Sequence, residues 1–112
     1  MSGDDDQLFV GESFYQSALL ALLAGRGHTK TDVSSARKPI RESFTARLIP
    51  EINNPHDANA VAVQINGRQV AHLSRSNAAN YRRAFGTKVG DVPVEIWVKA
   101  GGNGIVSVWP AS

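Results

Sequence analysis

The sequence predicts a mainly β domain with two short helices, its six short strands running antiparallel and closing, or nearly closing, into a small barrel. Three observations lead there. Several runs alternate apolar with polar residues, most sharply at Ala60–Ile65, where Val61, Val63 and Ile65 fall on one face. Asn66-Gly67 stands directly after that run and can take positive φ at both positions, the strongest short-range signal for a two-residue hairpin. Helical character is confined to two short stretches. A barrel is the economical way to arrange such strands, because closure removes the sheet edges that invite aggregation.

The elements follow in order. Residues 1–6 are polar and acidic, with nothing to bury, and are expected to form a disordered tail. Gln7–Val10 is a short apolar run ended by Gly11, a first strand. Gln16–Ala24 holds Leu19, Leu20, Leu22 and Leu23 among alanines and predicts a buried helix, with Gly25 terminating it in the left-handed conformation. From Arg26 to Arg41 the apolar periodicity disappears, which predicts a long basic loop, either a lid over a groove or, the reading preferred, slack that orders on binding. Strands are expected again at Ser43–Pro50, with Phe44, Ala46 and Leu48 on one face, and at Ala60–Ile65, onto which Arg68–Leu73 folds back. Ser74 stands as a helix cap before Ala78, Tyr81, Arg82 and Phe85 at helical spacing, and Gly86 marks the stop about three turns on. Val92, Val94, Ile96 and Val98 then alternate with Pro93, Glu95, Trp97 and Lys99. After Gly101-Gly102-Asn103-Gly104 the chain resumes as Ile105–Trp109, a second hairpin.

Composition narrows the function classes. A chain of 112 residues has room for one core, so residues 7–112 are expected to form a single domain. It has no cysteine, which excludes disulfide scaffolds, iron-sulfur clusters, cysteine-ligated zinc and cysteine nucleophiles. The longest apolar run, Ala18–Ala24, is too short to span a bilayer, and Asp4-Asp5-Asp6 is the wrong sign for a signal peptide. The expectation is a cytoplasmic monomer with no membrane partner. The net charge is only +2 but unevenly spread. Residues 1–25 hold Asp4, Asp5, Asp6 and Glu12 and no base, whereas residues 26–50 hold Arg26, Lys30, Arg37, Lys38, Arg41 and Arg47 against Asp32 and Glu42. A one-sided basic segment on a near-neutral body suits a phosphate backbone.

The densest cluster of unusual residues is Pro50–Val63, leading into the central strand. Much of it is turn chemistry: Asn54 caps its own backbone, Pro55 presets φ, Asp57 makes an Asx-turn and Asn59 closes the loop. His56 is not needed for a turn. Val10-Gly11-Glu12-Ser13-Phe14-Tyr15-Gln16, then Asn54-Pro55-His56-Asp57-Ala58-Asn59-Ala60-Val61-Ala62-Val63, then Gly67-Arg68-Gln69-Val70-Ala71-His72-Leu73-Ser74 and Ala78-Ala79-Asn80-Tyr81 resemble, in order, the HIRAN domain family. The resemblance runs from about Leu8 to Trp109. It is most specific where the Asn-Pro-x-Asp-x-Asn-Ala-Val element is followed by the hairpin and Val-x-His-Leu.

That resemblance implies a small OB-like or SH3-like barrel of the stand-alone, bacterial type. The family also occurs at the N-terminus of eukaryotic DNA translocases that remodel stalled forks. It further implies a non-catalytic module for single-stranded DNA, recognising free 3′-hydroxyl ends in DNA repair or stalled-fork processing. Carried over by position, the terminal-nucleotide pocket falls on Ser13, Phe14 and Tyr15, on His56 and Asp57, and on His72. Phe14 or His56 would stack on an unstacked base, worth about 1–3 kcal/mol. Asp57 would accept a hydrogen bond from a free hydroxyl while repelling an internal phosphodiester, and His72 would hold a sugar or phosphate oxygen. The sequence departs from the family pattern at Ser13, where a phosphate-gripping arginine is expected, and at about Ile105, where an aromatic is expected. Arg37, Lys38 and Arg41, or Arg82 and Arg83 on the second helix, are the candidates for the missing phosphate contacts.

Other chemistries have less behind them. His28, His56, Asp57 and His72 lack the His-x-His or Glu-x-x-His spacing of a zinc site. The carboxylates outside the tail are spread along the chain, where two-metal phosphoryl transfer needs them to converge. Gly101–Gly104 leads into a strand, not a helix, so there is no phosphate-cradling loop and no ATPase. No cofactor is expected, and a catalytic partner would be a separate helicase or nuclease. Tyr15, Tyr81 and Phe85 read by themselves as core or core rim, Trp97 as covered or stacking, and Trp109 as closing the barrel's end. The alternative function is a protein-interaction or structural module with a degenerate pocket, as Ser13 and Ile105 allow.

Overall fold

The computed structural model describes residues 7–101 and 104–111. The expected acidic tail at residues 1–6 lies outside the described residues, as do Gly102 and Asn103 of the last turn. Six strands form one antiparallel sheet: β1 (Phe9–Val10), β2 (Ile40–Pro50), β3 (Val61–Ile65), β4 (Arg68–Leu73), β5 (Gly90–Val98) and β6 (Val106–Pro110). Their order is β1-β4-β3-β2-β5-β6, curled into a nearly closed barrel. A 3-10 turn (Glu12–Tyr15) runs into α1 (Gln16–Ala24), and α2 (Lys30–Ser34) and α3 (Arg75–Phe85) complete the fold.

The alternation in the sequence carries straight into the core. Val61, Val63 and Ile65 of β3 and Val94, Ile96 and Val98 of β5 are all buried, while the residues that alternate with them are exposed or half-covered, except Ala62, which is buried as well. Leu19, Leu22 and Leu23 of α1 fill the interior against them. Each such side chain contributes about 1.5–3 kcal/mol by leaving water. Asn66 and Gly67 both take positive φ, 51° and 80°, so the β3–β4 turn has the twist that a tight hairpin requires. β2 is long enough to serve two neighbours, pairing with β5 from Ile40↔Val98 to Leu48↔Gly90 and with β3 from Arg47↔Gln64 to Pro50↔Val61.

β1 and β6 are the two ends of the sheet, and side chains span the seam between them. Gln16 Nε2 donates to Val106 O at 2.8 Å and its Oε1 accepts from Val106 N at 2.9 Å. Glu12 Oε2 accepts from Val108 N at 3.2 Å. The backbone of β6 thus finds partners in the 3-10 turn and the start of α1, where an exposed edge would otherwise offer unpaired groups.

The basic stretch 26–41 differs from the expected slack loop. It contains α2, opened by a capping box in which Thr29 Oγ1 accepts from Asp32 N and Asp32 Oδ2 accepts from Thr29 N. Val33 is buried, and Ala36 O accepts from Gly101 N. A five-residue helix with one core residue has no periodicity to read, which is why the segment looked featureless; Thr29 and Asp32 were its visible signal. Gly25 is right-handed at φ −64°, and the left-handed residue is Gly27, two positions on. Ser74 stands at the N-cap of α3, but its hydroxyl accepts from Asn77 Nδ2 rather than from the helix backbone. Among the described residues no helix is long and apolar enough to cross a membrane.

Candidate nucleic-acid interface

The register brings two of the three expected pocket segments side by side. β1 pairs with β4 so that Val10 lies opposite His72, and the chain then turns at Gly11, with φ 81°, into the 3-10 turn that carries Ser13, Phe14 and Tyr15. His72 lies between buried Ala71 and Leu73 and so projects on the outer face of β4, where it is half-covered. Its ring centroid is 6.2 Å from that of Tyr15. Phe14 is 84% exposed, and Ser13 is also exposed. A phenyl ring so bare adds nothing to the core, contrary to the usual place of an aromatic.

The carboxylate beside His72 is Glu51, not Asp57. Glu51 Oε1 lies 2.6 Å from His72 Nε2, and Gln69 lies 3.2 Å from the same nitrogen and 3.0 Å from Tyr15 Oη. An ionised carboxylate can only accept, so Nε2 carries the hydrogen and points it at Glu51. The Gln69 amide nitrogen donates to Tyr15 Oη and lies beside the same His72 ring nitrogen, whose one hydrogen is taken by Glu51. Tyr15–Gln69 and His72–Glu51 are thus two hydrogen-bonded pairs in contact along the outer wall, with the His72 and Glu51 side chains each about one-third exposed. Glu51 is a lone acid in a turn-rich stretch, and Gln69 is one polar residue on a strand; neither had a pattern to mark it, because what unites them with His72 is pairing between strands.

The third segment keeps its turn chemistry. Asn54 Oδ1 accepts from His56 N at 2.8 Å and from Asp57 N at 3.1 Å, and Asp57 Oδ1 accepts from Asn59 N at 2.9 Å. One carboxylate oxygen of Asp57 is therefore committed to the loop. The His56 side chain is exposed. Arg82 Nη1 donates to Ala58 O at 2.9 Å, which fastens this loop to α3 and makes Arg82 a strut.

Arg37, Lys38 and Arg41 are separated from His72. His72 pairs with Ala62, which pairs with Ile49. Arg41 lies eight residues back along β2, about 26 Å of strand path at 3.3 Å per residue. There it stacks on Trp97 of β5, with its guanidinium carbon 4.2 Å from the ring centroid, while Arg37 and Lys38 are exposed just ahead of the strand. Nearby, Arg26 and His28 both grip Glu42, at 3.1 and 2.7 Å, and Arg26 lies 4.1 Å over Phe44. The His28 hydrogen bond and charge, aided by Arg26, hold the Glu42 carboxyl below its ordinary range. Arg26 and His28 thus fasten the segment to β2. Ile105 is exposed at the turn into β6, and Trp109, expected to close the barrel, is 42% exposed. Among the described residues no three acidic or histidine side chains gather as metal ligands would. No family model, curated protein or solved structure matches the chain.

Proposed function

We propose that this protein is a non-catalytic, HIRAN-like module that binds single-stranded DNA at free 3′-hydroxyl ends and works beside a separate repair or fork-processing enzyme. The observation that carries this is the bare Phe14 ring, adjacent in the chain to Tyr15, whose hydroxyl accepts from Gln69 beside the His72–Glu51 pair. A flat apolar face beside fixed acceptors suits an unstacked terminal base and its sugar. A carboxylate there repels a continuing phosphodiester and accepts from a terminal hydroxyl. Glu51, with one oxygen on His72, and Asp57, with one oxygen on Asn59 N, each keep a second oxygen for that purpose.

The test is a fluorescence-anisotropy titration with 5′-labelled oligonucleotides ending in a 3′-hydroxyl or a 3′-phosphate. The hydroxyl end binds more tightly in the parent, and Asp57→Ala, Glu51→Gln or His72→Ala narrows the difference. Equal affinity for the two ends in the parent protein would remove the proposal.

A further inference from the structure

We propose that Trp109, Trp97 and Arg41 form a second contact for the same single strand, a platform on which bases 5′ of the terminal nucleotide stack; this rests on the DNA-binding function proposed above. The three residues meet on the outer face of β5 and its neighbours, where Arg41 lies opposite Trp97, Trp97 opposite Ser107, and Glu95 opposite Trp109. The two indole rings are 6.1 Å apart. The guanidinium of Arg41 covers Trp97 and is itself half exposed, so it offers its other face as a plane for a base. Trp109 donates its Nε1–H to Ser107 Oγ at 2.8 Å, which holds its ring orientation before any ligand arrives.

Two features separate this patch from ordinary surface packing. Trp97 Nε1 is buried with no acceptor among the described residues, a cost that a phenylalanine filling the same space would not incur. The surroundings are also basic. Arg37 and Lys38 precede β2 and Lys99 follows β5 at the same end of the paired strands, all exposed, while Glu95 on this face is already engaged by Arg41 at 3.4 Å. An exposed indole beside a half-exposed guanidinium, with three further cations toward one end of the same strands, fits a polyanion whose bases are free to stack, which is single-stranded nucleic acid. The position supports one continuous track. Trp109 lines a small groove at the barrel seam with Leu8, Phe9 and Glu12, and the 3-10 turn that follows carries Phe14 and Tyr15 toward His72.

The experiment uses the tryptophans themselves, since these two are the only ones in the chain. Intrinsic emission is followed while a ten-nucleotide oligothymidylate or a dinucleotide, each with a free 3′-hydroxyl, is titrated in at low salt. The ten-mer is expected to quench the emission. Trp109→Ala, Arg41→Ala and Arg41→Lys, which keeps the charge and loses the plane, should each weaken the ten-mer about tenfold and leave the dinucleotide unchanged; far-ultraviolet circular dichroism confirms the fold. Ten-mer binding with unaltered emission and undiminished affinity in the variants overturns the platform and leaves end binding standing. Quenching and tenfold losses without any preference for a 3′-hydroxyl support the platform and overturn end binding. Displacement of the ten-mer by polyglutamate at equal charge concentration overturns stacking in favour of an acidic protein partner, and absence of oligonucleotide binding overturns both proposals.

Discussion

The side-chain amide of Gln16 meets Val106 as a neighbouring strand would, donating to its carbonyl and accepting from its N–H at 2.8 and 2.9 Å. The contact spans 90 residues of sequence and lies where β1 and β6 fail to pair. A single glutamine thereby stands in for one rung of a ladder at the seam. Gln16→Ala leaves both backbone groups without partners at a buried residue, and should lower stability by about 1–3 kcal/mol. Urea denaturation measures it, and an unchanged midpoint would show that the seam closes by packing alone.

The Glu42 strap predicts a definite pH dependence. Its carboxyl is lowered in the fold, first by the His28 hydrogen bond and also by the His28 and Arg26 charges. The unfolded chain therefore binds more protons at this group than the folded one, so the stabilisation is complete above the ordinary glutamate range, about 4.3, and is lost as pH falls through the lower folded value. Glu42→Gln should flatten the acid limb of a Tm-against-pH curve. Parallel curves for parent and variant would show that the strap contributes no linkage.

Phe14 separates binding from folding. At 84% exposure its loss costs the core nothing, so Phe14→Ala should leave Tm unchanged. Affinity for single-stranded DNA should fall by about 1–3 kcal/mol. With about three phosphates neutralised, the log-log dependence of the parent's affinity on salt should have a slope of about −2. A lower Tm in the variant would assign the ring a structural role.

The β3–β4 turn is open to a similar separation. Gly67 at φ 80° has open space where a Cβ would stand, so the cost of Gly67→Ala is conformational alone, about 1–2 kcal/mol. Chemical denaturation would read that loss with the DNA affinity per folded molecule unchanged. A stabilised variant would mean that the turn does not hold this conformation in solution.

The strands, their inward faces and the Asn66-Gly67 hairpin were legible from residue order, because side-chain alternation and positive φ are demands that neighbouring residues satisfy among themselves. The same is true of the Asn54–Asp57–Asn59 turn, whose hydrogen bonds span two or three residues. The contacts that shape the site are different. Glu51 reaches His72 across 21 residues and Gln69 reaches Tyr15 across 54, and both depend on which strands lie side by side. Pairing likewise carried Arg41 away from His72 and onto Trp97, because β2 runs far enough to join β3 at one end and β5 at the other. Local pattern sets what each segment becomes, while strand order and register set which side chains meet, since a partner across a sheet leaves no periodic mark on the residue that faces it.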